Sequence, residues 1–393
     1  MKINPPRPIS AATSSFAAFT FDVRFPHIIN RVKANNPLQQ SQLAALDELA
    51  AEIAGGTVPL AGKESCHPDE RIYWDAFFAD HAGKRYVEVP FFDAEAYIYY
   101  RIIHIVDYRN SGMDPFHRVK TDSLTQHRDF VAAVAAKHMQ QPLAFSADYF
   151  ETLLQATLWG NSADLSQLET NDALVDTALR NNLVIDDSAE LCRLIGSKAV
   201  REIDFIADNA GLELVSDLFL IDYLLATGQV SCINLHLKAY PTFVSDATPS
   251  DVMDHLELLK GFGSAPVSRF VDRLEAHRSS GQLRLLSHPF WNSPCHFTKL
   301  PDDIRQGFGD DTVLLFKGDA NYRRLFEDRE WLYTTPVEGM LDYLEHPCFS
   351  IRTLKSEIVL GMDGDAVRRL DEADENWLTN GKYGLIQGNP AYF

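Results

Sequence analysis

The sequence is short of the devices that mark several common protein classes. Its five cysteines (Cys66, Cys192, Cys232, Cys295, Cys348) are an odd number and lie far apart, without a Cys-x-x-Cys or a short Cys/His pairing. That argues against a disulfide framework and against a zinc site, and reads as reduced thiols in a cytoplasmic protein. Positive charge is also scarce. Lys plus Arg number 36 against 55 Asp plus Glu, a net charge of −19, so nucleic acid and anionic membrane are not expected partners. No stretch of roughly 18 uncharged apolar residues is present to span a bilayer. The first residues, with Pro5, Pro6 and Arg7, lack the apolar run of a signal peptide.

Several catalytic signatures are missing as well. No Gly-x-Gly-x-x-Gly follows a strand-like run, and no Gly-x-Ser-x-Gly occurs. Gly261-Phe262-Gly263 lacks the Gly-Lys-Ser/Thr ending of a P-loop. Gly361–Asp365 lacks the spaced ligands and closing Glu of a calcium loop.

What is present is a chain of 393 residues with enough apolar content, 46%, for a large core and room for two domains. The first part reads as helical. Asn36-Pro37 is a cap and first-turn pair for a helix carrying Leu43, Leu46, Leu49, Ala50 and Ile53, stopped by Gly55-Gly56. Further helical patterns cover 69–82, 93–108, 121–139 and 146–158. From about residue 180 short apolar runs recur at Asn182–Ile185, Ile203–Ala207, Ser231–Leu237, Leu283–Leu286, Thr312–Phe316 and Phe349–Leu354. Helices alternate with them, notably Leu212–Ala226 and Pro249–Leu259. The expected fold is therefore α/β: an N-terminal helical bundle (1–160) packed on a three-layer α/β/α domain (161–393) with a mostly parallel sheet. The boundary is placed near Gly160–Ser166.

Polar residues collect where the strand-like runs end. Ile203–Ala207 leads into Asp208-Asn209, Thr312–Phe316 into Lys317-Gly318-Asp319, and Ile351–Leu354 into Lys355; a loop after Leu237 reaches Ser245-Asp246. In a parallel sheet these carboxyl ends converge on one crevice. Asp208, Asn209, Asp246 and Asp319 offer hard oxygen donors that suit magnesium or manganese. Lys317, Arg323, Arg352 and Lys355 offer cations for a phosphoryl group. Each residue has a plainer reading too: Asp208-Asn209 and Asp246 as helix caps, a strand-end Lys or Arg as a solvated rim.

These segments resemble the damage-control phosphatases, long catalogued as a domain family of unknown function. Within them they resemble the subfamily (III) of acidic-residue methyltransferase-like proteins. The matching stretches are Glu95-Ala96-Tyr97, Trp159-Gly160-Asn161 with Asp164-Leu165-Ser166, and Asp208-Asn209-Ala210-Gly211-Leu212-Glu213-Leu214. They continue with Val244-Ser245-Asp246, Phe316–Arg323 and Arg352-Thr353-Leu354-Lys355. The resemblance implies a manganese, magnesium, nickel or cobalt ion held by Asp208, Asn209 and Asp246. It implies catalysis by these three with Lys355, and substrate contacts from Glu213, Lys317, Asp319, Asn321, Arg323, Arg352 and Lys355. The implied substrate is a small phosphorylated metabolite, a sugar phosphate such as fructose 1-phosphate or fructose 6-phosphate, with no obligate protein partner. Carboxyl methyl transfer from S-adenosylmethionine, with Glu213 and Asp246 near the donor, is the alternative activity; non-catalytic sugar-phosphate binding is another. Departures at Ala96, Ser162-Ala163 and Ala320 touch none of the expected metal ligands.

Overall fold

The computed structural model describes residues 4–60, 67–160 and 181–392. Seven strands form one sheet: β1 Leu183–Asp186, β2 Glu202–Ile206, β3 Cys232–Leu237, β4 Leu283–Ser287, β5 Thr312–Lys317, β6 Cys348–Thr353 and β7 Gly384–Gly388. Their order is β1-β7-β6-β5-β2-β3-β4. The five from β6 to β4 are parallel; β7 runs antiparallel to β6, and β1 lies parallel to β7. Strands β3 and β5 are buried at every position; β5 accordingly reads as a nearly continuous apolar run, whereas β3 alternates Ile233, Leu235 and Leu237 with the buried polar Asn234 and His236. From β2 the chain moves outward to β3 and β4, then returns to lay β5 on the other flank of β2. The sheet therefore has its topological switch point between β2 and β5, where open α/β sheets bind ligands.

Six of these strands coincide with the apolar runs of the sequence. β7 does not, because its sequence Gly-Leu-Ile-Gln-Gly begins and ends in glycine. The structure requires one of them: a Cβ on Gly384 would sit 3.1 Å from the Arg352 carbonyl oxygen and 3.2 Å from the Trp159 ring.

Both faces of the sheet are covered. One carries Ile206, Leu314 and Phe316, packed with the helices Phe25–Asn35, Gln40–Gly55, Arg71–His81 and Phe91–Ile105. The other carries Phe205, Val313 and Leu315, packed with Ala147–Trp159, Leu212–Ala226, Pro249–Lys260 and Ala265–Ser279. The helix Leu212–Ala226 is buried from Leu212 through Leu225, the expected outcome for a helix apolar nearly all round.

Two helix boundaries differ from the sequence reading. The helix expected from Asn36-Pro37 starts at Gln40. The Asn36 amide instead donates to the carbonyls of Val32 (2.9 Å) and Pro115 (3.0 Å), closing the preceding helix. The single helix expected over 121–139 is two, His117–Gln126 and Arg128–His138. The chain leaves helical geometry at His127, whose ring Nδ1 lies 2.7 Å from the Ser123 carbonyl oxygen. The helix Phe25–Asn35 went unforeseen. The expected boundary and the Asn161 and Asp164–Ser166 matches fall outside the described residues. The four described cysteines are free thiols, and no described helix is long and apolar enough to cross a membrane.

Asp222, fully buried on the central helix, ties the second face together. It accepts from Arg273 Nε at 2.8 Å and lies 2.6 Å from His138 Nε2, whose other ring nitrogen is 2.8 Å from the Tyr149 hydroxyl. Burial alone raises its pKa, but hydrogen bonds from His138, His277 and Arg273 outweigh it and hold the carboxyl below its ordinary range. Asp222→Ala leaves the half-buried Arg273 guanidinium and the buried His138 ring without their shared partner and should cost about 3–5 kcal/mol. Urea unfolding measures it, and a midpoint within error of wild type would refute the network's role.

Candidate active site

The loops after β2 and β3 are joined by a short backbone bridge. Asn209 and Asp246 pair in antiparallel fashion, the Ala210 N–H donates to the Ser245 carbonyl (2.6 Å), and the Ala247 N–H donates to that of Asp208 (2.8 Å). Reaching this bridge forces Phe243 and Val244 to φ values of 47° and 71°, costly for bulky and β-branched residues. Packing supports the strain: the Phe243 ring stacks on Phe92 at 5.6 Å. The bridge puts Asp208, Asn209 and Asp246 side by side at the switch point.

Strand β5 approaches from the other flank. Its continuation, Gly318, has φ +81°, and a Cβ there would lie 1.9 Å from Asp208 Oδ2. Only glycine lets β5 turn into the helix Gly318–Leu325 against this carboxylate. That helix carries Asp319, Asn321 and Arg323.

Asp208, Asn209 and Asp246 line a cleft of about 650 Å³, together with Asp319, Arg323 and Lys355. The remaining expected residues stand behind it. The Lys317 ammonium is buried, 3.3 Å from both Glu213 Oε1 and Asp217 Oδ1, and donates to the Thr157 carbonyl. Glu213 Oε2 accepts from the Asn209 amide (2.9 Å). The Arg352 guanidinium lies over the Tyr322 ring at 4.2 Å and 3.2 Å from Asp319 Oδ1. The same oxygen accepts from the Lys355 N–H (3.1 Å) and the Ser356 hydroxyl (3.0 Å). The Asn321 amide donates to the carbonyls of Lys317 (2.7 Å) and Ala207 (3.1 Å), tying β5 to the end of β2. Arg323 reaches the cleft, but its nitrogens are taken by Asp328 (2.9 and 2.8 Å) and Glu95 (2.7 Å).

Negative charge is concentrated at the centre. Burial, then the charges of Glu213 and Asp246, push the Asp208 carboxyl well above its usual range, with Lys355 and Lys238 offsetting only part. Burial likewise raises Asp246 to about 6, although the Lys238 ammonium stands 3.2 Å away. Among the described residues no set of three or more His, Cys, Asp or Glu is placed to hold a metal. The donors that do meet are two carboxylates and the Asn209 amide oxygen, which accepts from Ser245 Oγ at 2.5 Å and keeps a second lone pair. Such an all-oxygen set on carboxylates that nearby lysines only partly compensate fits a hard divalent cation of the magnesium or manganese type.

One part of the lining was not anticipated. Arg24, His27 and Arg31 reach the cleft from the segment around the helix Phe25–Asn35, and Tyr99 and Phe243 line it as well. Their signal was present in the sequence. Phe25, Ile29 and Val32 form a buried stripe, and Arg24, Ile28 and Arg31 repeat that spacing one residue earlier, on the adjoining helix face.

Comparison with known proteins gives a consistent result. Residues 20–370 match the family model described as the damage-control phosphatase ARMT1-like domain. Over 330 residues the chain is 31% identical to damage-control phosphatase ARMT1 of Danio rerio, covering 76% of this chain and 73% of that one. It is 30% identical over 344 residues to the Bos taurus protein of the same name (80% and 78% covered) and 32% over 324 residues to that of Rattus norvegicus (76% and 74%). Among solved structures, a DUF89 family protein from Pyrococcus horikoshii shares the fold, with a TM-score of 0.52 at 17% identity, covering 96% of this chain and 99% of that one.

The buried cluster behind the cleft makes a pH-dependent contribution to stability. Burial raises the Asp217 carboxyl from an ordinary 3.8 to about 7, Lys317 offsetting part and Glu213 adding to it. The folded chain thus holds this proton more tightly than the unfolded one, and the contribution is lost as pH rises from about 4 through 7. Asp217→Asn should be relatively more stable, against wild type, at pH 8 than at pH 5. Denaturant melts at both values test this; an equal difference at the two would refute it.

Proposed function

Because the chain belongs to the ARMT1-like damage-control phosphatase family, we propose that it hydrolyses the phosphate ester of a small sugar phosphate in the cleft at the β2–β5 switch point. Substrates of the fructose 1-phosphate or fructose 6-phosphate kind fit this reading. The observation that carries it is the meeting of Asp208, Asn209 and Asp246 with Lys355 around one opening. A manganese, magnesium, nickel or cobalt ion held by Asp208, Asn209 and Asp246 would supply a Lewis acid for a phosphoryl oxygen.

The chain's own residues divide the remaining work. Lys355 presents a positive charge to the phosphoryl oxygens, on a backbone fixed by the Asp319 carboxylate. Asp319 and Glu95 line the cleft as acceptors suited to sugar hydroxyls. Arg323, neutralised by Asp328 and Glu95, shapes the wall and keeps Glu95 in place. Phe91, Tyr99 and Phe243 give the cleft an apolar side that limits water. Lys317 and Arg352 act from behind, the first holding Glu213 against Asn209, the second underpinning Asp319. The reading takes the protein as a cytoplasmic enzyme that works without an obligate partner.

The test is phosphate release from a panel of sugar phosphates and one aryl phosphate, after chelation and again with each divalent ion restored. Release should disappear on chelation and return with the ion. Asp246→Asn and Lys355→Met should each lower kcat/KM at least about a hundredfold, with circular dichroism unchanged. Turnover that survives chelation, or a fully active Asp246→Asn, would sink the assignment.

A further inference from the structure

The roof of the cleft has a chemistry that the hydrolytic centre does not use. The N-terminal helix passes through a π-helical turn, Thr20–Arg24, in which the Phe25 N–H donates to the Thr20 carbonyl five residues back. Turns of this kind often occur at functional sites. Here the turn keeps Phe21 and Phe25 in the core, their rings edge to face at 5.3 Å, while Val23 and Arg24 face the cleft. One turn further on, His27 and Ile28 line it, and then Arg31. Arg24 and Arg31 are seven residues apart, so they bracket roughly 10 Å of helix facing the opening.

Both arginines are exposed, and among the described residues neither forms an ion pair, in a chain with 55 acidic residues to 36 basic ones. Arg323, in the same cleft, shows the contrast: Asp328 and Glu95 consume it. Tyr99 links roof and floor, for its hydroxyl feels both the Arg24 guanidinium and the Asp246 carboxylate, after the larger effects of burial and Glu95. The cleft therefore holds two separate cationic places. Lys355 acts on the Asp208 carboxylate at the floor, and the Arg24–Arg31 stripe lines the same cleft from the N-terminal helix. A phosphoryl group at the floor occupies only the first.

We propose that Arg24 and Arg31 form a second anion subsite, which binds the non-scissile end of a phosphometabolite carrying two anionic groups. That end is a second phosphate or a carboxylate, and both present the oxygens a guanidinium fork matches. His27 adds a donor between the two arginines. The inference rests on the hydrolytic reading for the reaction at the floor, but the subsite is a binding site in its own right. The stripe also offsets the repulsion that a strongly acidic molecule exerts on a dianion approaching the cleft.

The test compares three substrates that differ at the far end: a hexose monophosphate, the matching hexose bisphosphate and the matching phosphorylated sugar acid. Manganese-loaded full-length protein should prefer one or both bis-anionic compounds in kcat/KM, through a lower KM. Arg24→Ala/Arg31→Ala should reduce that preference about tenfold or more, Arg31→Lys should keep most of it, and Arg31→Glu should reverse it. Preference for the bisphosphate alone identifies phosphate as the bound group, and preference for the acid alone identifies carboxylate. A ratio equal in wild type and the double variant overturns the subsite. If the wild type releases no phosphate even from an aryl ester, the hydrolytic reading fails on its own. Calorimetry with the bisphosphate then decides the subsite: weaker binding by the double variant sustains it, and equal binding overturns it.

Discussion

The arrangement of this site depends on one small piece of backbone pairing, the bridge between Asn209 and Asp246. Strand ends in a parallel sheet fan apart into separate loops, and side chains on different loops meet only if something couples them. Here two backbone hydrogen bonds, Ala210 to Ser245 and Ala247 to Asp208, fix the loops in register before any side chain is considered. Strained φ angles at Phe243 and Val244 are the cost of that register. The third participant, β5, reaches the same point only because residue 318 is a glycine.

Around this bridge, buried charges serve geometry more than stability. Lys317 between Glu213 and Asp217, Arg352 beside Asp319, and Arg323 between Asp328 and Glu95 each join different segments of the chain. Burying such pairs contributes little net stability, because desolvation offsets most of the attraction. What they do is limit each carboxylate to one orientation, which is the requirement for a site whose groups act together. The cations nearest the chemistry are thus mostly engaged with protein acids, and among the described residues Lys355, Arg24 and Arg31 line the cleft without such a partner.

Much of this was legible in the residues. β5 announced itself as an apolar run because both its faces are buried, β3 as an alternation of Ile233, Leu235 and Leu237 with polar residues, and Leu212–Ala226 as an apolar stretch long enough to be a helix. The polar endings of those runs led to Asp208, Asn209, Asp246, Asp319 and Lys355, since a parallel sheet gathers its carboxyl ends. Other features depend on tertiary context. β7 was hidden by its two terminal glycines, of which Gly384 is required by the close approach of Arg352 and Trp159. The partners of Lys317 and Arg352 could not be read either, because pairing between residues roughly 30 to 100 positions apart leaves no local spacing. The roof was overlooked for a different reason: a π-turn shifts the helical phase, so a search at constant period across residues 15–35 loses the pattern.

The all-round burial of Leu212–Ala226 bears on how the molecule comes to exist. This helix follows directly on Asp208-Asn209, and its cover comes from Ala147–Trp159, made earlier, and from Ala265–Ser279, made later. As the chain leaves the ribosome, some fifteen largely apolar residues stand half-clothed until the later helix and strand β5 have emerged. Through that interval the segment is both adhesive and unable to orient the acids beside it. The site's acids therefore gain their final support only when the later half of the chain is in place.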